Sequence, residues 1–219
     1  MPLSKLDLKK KRIREFFSTF KTEKKGRIEK KIYKKGMVYI QLQLPVEQIT
    51  KEFEEKLKQK IEHNIIQAHI RVATEADLES VIDLYNKSWL TSNTPFRPIT
   101  IDSLKTIFED EDTIFLIAKV YGKDAGFVIL DFDGKNKEFG VFAGLGILPR
   151  FQHRGLGTII GMAAWNYLKG LKDKNIKELR CEVYKDNEVS YSFIKALGFK
   201  EYGKVIYTKS DFLINDENE

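Results

Sequence analysis

Residues 146–158 read GILPRFQHRGLGT, and this stretch decides the fold because it runs a strand, a glycine-containing turn and a helix start in succession. Pro149 ends the strand, since proline has no N–H to donate to a sheet ladder. The first amides of a helix lack partners within the helix and lie at the positive end of its dipole, so they attract anions. The sequence therefore predicts an anion site over residues 152–158.

Two common nucleotide-binding turns do not fit this stretch. A dinucleotide fingerprint needs a third glycine three residues after Gly157, where Ile160 stands. A P-loop ends in Gly-Lys followed by Ser or Thr, and the stretch has no such ending. Arg150 and Arg154 add positive charge to the turn, although each also suits a solvated surface.

The flanking sequence alternates strands and helices from His69 onward. Period-two and continuous apolar runs predict strands, whereas apolar residues at helical spacing predict helices. Thr74 and Asp77 form a predicted capping box at the start of one helix. The predicted strands span 69–72, 113–120, 125–131, 139–148, 178–184 and 202–208, and the predicted helices span 74–89, 101–109, 155–171 and 188–197. This order predicts an α+β fold.

Two motifs in this region resemble those of one enzyme family. The pattern Gln/Arg-x-x-Gly-x-Gly/Ala at Gln152–Gly157 resembles the acetyl-CoA signature of the GNAT superfamily of N-acetyltransferases. A second stretch, NEVSYSFIKALGF at 187–199, looks like the family's asparagine-containing helix that closes in Leu-Gly-Phe. The resemblance, which covers about residues 69–208, implies a central mixed, mostly antiparallel sheet flanked by helices. It also implies transfer of an acetyl group from acetyl-CoA to a primary amine of a small molecule or protein, by direct attack on the thioester.

The same resemblance places the pantetheine arm of the cofactor in a gap beside the strand that precedes the turn. Leu145 and Ile147 direct backbone groups to one side of that strand, so they are candidates for holding the arm, and Leu145 for polarising the thioester carbonyl. Gly144 and Gly146 permit a bulge or a close approach there. Asn187 is expected to bond the pantetheine region, with a helix cap as the alternative. The predicted cofactor contacts are Leu145, Ile147, Leu148, Gln152, His153, Arg154, Gly155, Leu156, Gly157, Thr158 and Asn187.

The acid and the base are less evident in the sequence. Many family members place a tyrosine four residues before the glycine of the Leu-Gly-Phe closure, and Ile194 stands there in this chain. Tyr191 lies one helical turn earlier on the same side and is the candidate acid, although it also suits an ordinary amphipathic position. Glu138 and Glu182 are candidate bases that equally suit a solvated surface, and water is an alternative proton relay. The departure at Ile194 leaves open a CoA-binding regulatory module with weak or no catalysis.

Acceptor recognition in this fold generally comes from the connection between the first two helices. That connection reads WLTSNTPFRP at 89–98. Trp89 and Phe96 are candidates for lining the acceptor pocket, with burial in the core as the alternative. The connection has no acidic residue, so a strongly acidic polyamine funnel is not expected. The single cysteine, Cys181, offers no metal-ligand spacing, and we predict no metal.

Residues 1–68 lie outside the resemblance. We interpret them as a basic N-terminal extension of helix, β-hairpin and helix, ahead of an acetyltransferase domain at 69–219. The predicted hairpin joins Arg27–Tyr33 to Met37–Leu44. The extension has too few apolar residues for a core of its own, so we expect it to pack on the remainder.

Positive charge is concentrated at the N-terminus. Residues 1–35 hold 14 Lys or Arg against 4 acids, whereas residues 36–219 hold 24 against 28. Such a segment binds polyanions by counterion release, so nucleic acid or the ribosome is a candidate partner, with a solvated arm as the alternative. The longest largely apolar run, 139–149, is too short to cross a bilayer, and we expect a cytoplasmic protein with no membrane partner. A homodimer is a further expectation.

Overall fold

The computed structural model describes residues 35–62, 66–92, 94 and 99–208. Within them, seven strands form one sheet: β1 Met37–Pro45, β2 Ala68–Val72, β3 Ile114–Val120, β4 Lys123–Asp133, β5 Phe139–Ile147, β6 Glu178–Tyr184 and β7 Lys200–Tyr207. The α-helices are α1 Lys51–Glu62, α2 Leu78–Trp89, α3 Ile101–Phe108, α4 Leu156–Gly170 and α5 Glu188–Ala196. Short 3-10 helices span Val46–Gln48, Glu75–Asp77 and Pro149–Phe151. The predicted α+β class is confirmed.

The sheet has the strand order β2-β3-β4-β5-β6-β1-β7. Its neighbouring strands are antiparallel except β5 and β6, which are parallel. Helices cover both faces of the sheet. A Cβ atom at Gly146 would meet Ser88 of α2, whereas one at Gly126, which points to the opposite face, would meet Ile160 of α4. The predicted mixed, mostly antiparallel sheet flanked by helices is therefore confirmed.

The predicted capping box at Thr74 forms ahead of α2. The carboxylate of Asp77 accepts hydrogen bonds from the backbone N–H of Thr74 at 2.7 Å and from its hydroxyl at 2.9 Å. Asp77 also accepts two hydrogen bonds from the guanidinium of Arg71, at 2.6 and 2.7 Å. A local sequence signature thus fixes the start of this helix and joins it to β2.

Strand β1 lies inside the sheet, between β6 and β7. Tyr39–Pro45 pair with β6, and Met37–Gln43 pair with β7. Both edges of β1 are therefore occupied from Tyr39 to Gln43. This pairing differs from the predicted hairpin, in which residues 27–33 would lie beside the strand; the hydrogen-bonding groups of β1 are instead satisfied by strands distant in the sequence.

The second helix predicted for the N-terminal extension is present as α1, whereas the other predictions for the extension lie outside the described residues. They comprise its first helix, the Arg27–Tyr33 strand and the binding of nucleic acid or ribosomes through residues 1–35. The division of the chain at residue 68 stays a prediction, although β1 shares the sheet with the strands that follow. Among the residues described, no helix is both long and apolar enough to cross a membrane.

Candidate active site

A cavity of about 870 Å³ opens where β5 and β6 diverge. The parallel pairing of the two strands covers Phe139–Phe142 and Glu178–Cys181, and the residues after these separate. In the β4–β5 register, Ile129 pairs with Gly144 and Leu130 with Phe142, so Ala143 is the inserted residue of a β-bulge. A bulge bends its strand, which explains why the gap begins at this point. The bulge lies next to Gly144, the first of the two glycines at which the sequence predicts a bulge.

The backbone of β5 directs polar groups into this gap. The N–H of Leu148 donates to the carbonyl of Ala125 at 2.9 Å, so these residues form a hydrogen-bonded pair with β4. Hydrogen-bonded and non-hydrogen-bonded pairs alternate in antiparallel strands. The N–H and C=O groups of Leu145 and Ile147 therefore face away from β4, toward the cavity that both residues line.

A row of backbone amides without hydrogen-bond partners lies on one side of the cavity. Within the described part of the chain, the backbone N–H groups of residues 153–158 donate no hydrogen bond, and the first amide of the turn to do so is that of Ile159, which donates to Gly155 O at 3.2 Å. His153 and Gly155 have φ angles of 57° and 81°, a left-handed conformation that reverses the chain ahead of α4. The geometry is that of a helix N-terminus able to bind an anion.

The side chain of Gln152 joins the turn to its surroundings. Its Nε2 donates to the carbonyl of Ile147 at 2.9 Å and lies 2.9 Å from Thr91 Oγ1. The hydroxyl of Thr91 is also 3.1 Å from Gln152 Oε1. Gln152 thus fixes the end of β5 relative to the segment that follows α2. The carbonyl of Ile147 already accepts a hydrogen bond from the Gln152 side chain.

Of the other predicted cofactor residues, His153, Gly155, Gly157 and Thr158 line the cavity, whereas Arg154 and Leu156 do not. Arg154 is exposed and the side chain of Leu156 is fully buried, so Leu156 contributes its backbone amide, and not its side chain, to the row of unpaired amides. The backbone of Leu148 is already paired, because its N–H donates to Ala125 O and its carbonyl accepts from Phe151 N. This pairing argues against the predicted contact between Leu148 and the cofactor.

Asn187 lines the cavity and caps α5. Its Oδ1 accepts a hydrogen bond from the N–H of Ser190 at 3.1 Å, and its Nδ2 donates to Thr94 Oγ1 at 2.9 Å and to Ser92 Oγ at 3.2 Å. The helix cap that the sequence left as the alternative is therefore present, and it also ties α5 to the segment after α2.

The position at which many GNAT enzymes carry a tyrosine faces the cavity, and here it is Ile194. The candidate acid Tyr191 is not among the cavity residues. Its hydroxyl donates a hydrogen bond to Glu201, which raises the pKa of Tyr191 above its usual value. This placement disfavours the predicted role of Tyr191, because its proton is held by a carboxylate outside the site.

Aromatic side chains form the remaining walls. The predicted acceptor residue Trp89 lines the cavity together with Tyr85, and Phe96 lies outside the described residues. Across the gap stand Tyr39 of β1 and Tyr184 of β6, whose rings lie 5.7 Å apart. Burial and the nearby carboxylate of Asp186 raise the pKa of Tyr184 to about 12, so its hydroxyl stays protonated at neutral pH.

Of the two candidate bases, Glu182 lines the cavity and Glu138 does not. The Glu182 carboxylate accepts hydrogen bonds from Gln41 Nε2 and from Tyr207 Oη, each at 3.1 Å. Among the described lining residues, Glu182 and Glu188 carry carboxylates, and none is Lys or Arg. In the same part of the chain, no group of three or more His, Cys, Asp or Glu side chains is arranged to hold a metal ion.

Sequence reasoning missed the wall that β1 contributes. Tyr39 and Gln41 alternate with apolar residues in an ordinary strand pattern, and nothing local indicates a partner. Their positions opposite Tyr184 and Glu182 follow from the pairing of β1 with β6. The sequence shows these residues to be functional candidates only once that pairing is known.

The comparisons with known proteins agree with this geometry. The model of the Acetyltransferase (GNAT) family matches residues 78–199, which is more than half of the chain. No curated protein sequence matches the chain.

Three solved structures illustrate the shared fold. A functionally unknown conserved protein from Staphylococcus epidermidis has a TM-score of 0.57 at 16% identity, with 84% of this chain and 66% of that one covered. The PaiA N-acetyltransferase of Thermoplasma acidophilum, solved with coenzyme A, has a TM-score of 0.51 at 22% identity, with 64% and 99% covered. An aminoglycoside acetyltransferase from an uncultured soil sample, solved with sisomicin, has a TM-score of 0.51 at 14% identity, with 64% and 93% covered. At these identities the likeness shows the fold alone.

Proposed function

Because this chain belongs to the GNAT acetyltransferase family, we propose that it transfers the acetyl group of acetyl-CoA to a primary amine by direct attack on the thioester. One observation carries the proposal: a row of unpaired amides at residues 153–158 lies beside a cavity toward which β5 directs the N–H and C=O groups of Leu145 and the N–H of Ile147. The first feature suits a diphosphate and the second suits an extended chain of amides, which are the two halves of the CoA arm.

The helix N-terminus would hold the diphosphate. The amides of 153–158 would donate hydrogen bonds to its oxygens, and the dipole of α4 would add a favourable field. Gly157 allows this corner to be compact, because a Cβ atom there would lie 2.8 Å from the Phe193 ring. Backbone donors would allow the site to bind a diphosphate although Arg154 does not line the cavity.

The backbone of β5 would hold the acyl end of the cofactor. Acetyl-CoA, when bound, supplies a thioester whose carbonyl carbon accepts the amine nitrogen and whose sulfur leaves with the bonding electrons. The N–H of Leu145 faces the cavity and polarises that carbonyl, since a fixed donor stabilises charge that develops on oxygen. Glu182 accepts the proton that the amine loses, because it is the candidate base that lines the cavity. The leaving thiolate needs little assistance, since a thiol pKa of about 8.5 makes it a tolerable leaving group.

A second candidate function has support from one observation. Ile194 presents hydrocarbon to the cavity at the position of the usual tyrosine, and Tyr191 does not replace it. A CoA-binding regulatory module with weak or no catalysis would tolerate this arrangement.

Two measurements on the full chain decide between these functions. Calorimetry with CoA tests the binding site, and release of free thiol from acetyl-CoA in the presence of an amine panel tests transfer. Binding with thiol release supports the enzyme, whereas tight binding without release for any amine supports the module. Absence of CoA binding rejects both.

We also propose a cytoplasmic location, a homodimer and a tether of residues 1–35 to nucleic acid or ribosomes. The tether is supported by the local excess of Lys and Arg in the sequence. A salt series compares the nucleic-acid affinity of the full chain with that of a chain starting at residue 36. Equal and weak binding by both chains would reject the tether.

A further inference from the structure

We propose that the cavity selects a small monoamine whose single ammonium group is carried on a flat apolar body, as in an arylalkylamine. The proposal rests on the proposed acetyl transfer and names the acceptor class of that same site. It follows from two aromatic walls and one fixed carboxylate that line the cavity.

The first wall is a packed cluster on β1, β6 and β7. The ring of Tyr39 meets those of Tyr184 and Tyr207 edge-on, with centroids 5.7 and 5.6 Å apart. Tyr207 Oη and Gln41 Nε2 each donate a hydrogen bond to the carboxylate of Glu182 at 3.1 Å. These contacts hold a negative charge at a fixed place beside the tyrosine rings. A carboxylate has acceptor sites for several donors at once, so it can bind these two donors and an ammonium group together.

The second wall comes from α2. The rings of Tyr85 and Trp89 lie 5.7 Å apart and are inclined at 48° to each other, and both residues line the cavity. Aromatic faces attract cations and also bind flat apolar groups. A ligand between the walls can therefore place its ring against aromatic side chains and its ammonium group at Glu182.

The charge of the cavity limits the number of cations that it accepts. Among the described lining residues, the second carboxylate is that of Glu188, in the first turn of α5, where the helix dipole already offsets negative charge. A polyamine or an aminoglycoside carries several ammonium groups, and most of them would lie against aromatic or hydroxyl-bearing residues without a counter-charge. The observations therefore favour one ammonium on an apolar body.

The proposal is tested by calorimetry on the full chain saturated with CoA, which lacks an acetyl group, so that binding is measured without reaction. Phenethylamine and phenethyl alcohol form a matched pair that differs in charge. We expect the amine to bind at least tenfold more tightly than the alcohol, and spermidine and sisomicin to bind more weakly than phenethylamine. Equal affinity for amine and alcohol, or tighter binding of spermidine or sisomicin, would overturn the proposal.

Variants show which side chains are responsible for ligand binding and for the preference for the amine over the alcohol. Glu182→Gln keeps the shape of the side chain and is expected to reduce phenethylamine affinity to that of the alcohol. Tyr39→Leu is expected to weaken both ligands at least threefold, and Glu178→Gln, at the far end of the same strand, is expected to leave both unchanged. If a variant does not fold, the amine-to-alcohol ratio of the unaltered protein still decides. Loss of CoA binding would reject the proposed function, whereas CoA binding without preference for the amine rejects this inference alone.

Discussion

The indole Nε1 of Trp165 donates a hydrogen bond to Glu54 Oε1 at 2.6 Å, which joins α1 to α4. Lys169 Nζ bonds the same oxygen at 2.7 Å, and these hydrogen bonds lower the pKa of Glu54. Helix α1 precedes the segment that matches the family model, whereas α4 begins at the anion site. The N-terminal part of the chain is thus bonded directly to the helix that begins at the proposed cofactor site.

The Glu54 contact gives the first prediction. Glu54→Ala is expected to lower the free energy of unfolding by about 2 kcal/mol, because it leaves the indole N–H of Trp165 without its charged acceptor. Lys169→Ala is the control and should cost less than about 1 kcal/mol, because the Lys169 side chain is 55% exposed. Urea denaturation measures both values. Equal losses in the two variants would show that the indole bond contributes nothing beyond the exposed ion pair.

A second prediction concerns β1 itself. Within the described sheet, β7 pairs with β1 alone, and β1 also covers one edge of β6. A chain that starts at residue 69 is therefore expected to lose cooperative unfolding and CoA binding, because β7 has no strand beside it. A chain that starts at residue 35 keeps every described strand pair and should unfold cooperatively. Circular dichroism during thermal unfolding distinguishes the two. A cooperative, CoA-binding chain from residue 69 would contradict the prediction.

The contrast between β1 and α2 shows what the sequence determines about the fold. The helix that begins after Thr74 is specified by residues within one turn, and the structure confirms both its capping box and its end at Trp89. The strand from Met37 is equally visible as a pattern, but its partners are more than 130 residues away at Tyr184 and Tyr207. Local alternation predicts a strand without identifying its neighbours, so the sequence alone indicates the nearest strand-like run as the partner.

The candidate site also has parts that a single stretch of sequence predicts and a part that depends on distant strand pairing. The turn at residues 152–158 lies within one stretch, so its glycines and the helix start are sufficient to predict its unpaired amides. Leu145 and Ile147 follow from the alternation of a single strand. The tyrosine and glutamate wall needs β1, β6 and β7 together, and no single segment contains it. Helical spacing makes Tyr191 a candidate acid, but it does not reveal that the Tyr191 hydroxyl donates to Glu201, a contact that disfavours this role.

The anion turn is tested by a charge placed at Thr158, which lines the cavity in the first turn of α4. Thr158→Glu is expected to weaken CoA binding on the order of 30-fold, because a carboxylate near the diphosphate costs about 2 kcal/mol at intermediate dielectric. Thr158→Gln has the same size without charge and should weaken binding much less. An acidic residue suits a helix N-terminus, so the fold is not expected to suffer. Gly157 is unsuitable for this test, because any side chain there meets Phe193.

Calorimetry with CoA measures the affinities, and thermal unfolding checks stability. If the Glu and Gln variants bound CoA equally well, the diphosphate would not lie at these amides.

Substitutions at Gln152 and Thr91 test the hydrogen bonds that hold the end of β5 in place. Gln152→Leu removes the donor to the Ile147 carbonyl and the link to Thr91, and we expect about a tenfold fall in kcat/KM with a loss of about 1 kcal/mol in stability. Thr91→Val removes the link and keeps the donor to Ile147, so its effect on kcat/KM should be smaller. Steady-state kinetics and urea denaturation measure the two effects. A larger kinetic defect in Thr91→Val would assign the role to the segment after α2 instead of to β5.

The final prediction concerns pH and the ion pair that begins α2. The guanidinium of Arg71 holds the pKa of Asp77 well below its usual range, and the backbone N–H of Thr74 adds to this effect. A carboxylate with a depressed pKa in the folded state stabilises the fold above its unfolded pKa of about 3.9, and this contribution is lost as pH falls. Asp77→Asn is therefore expected to cost about 1–2 kcal/mol at pH 7 and less at pH 3, where unfolded Asp77 is mostly protonated.

Asp83→Asn is the control, because Asp83 forms an exposed ion pair with Lys87 one turn along the same helix. Its cost should stay below about 0.5 kcal/mol at both pH values. Urea denaturation at pH 7 and pH 3 measures the two differences. If the charge held by Arg71 is what stabilises the fold, the stability cost of Asp77→Asn must be smaller at pH 3 than at pH 7. An equal cost at both pH values would mean that the side chain acts through its shape and hydrogen bonds instead.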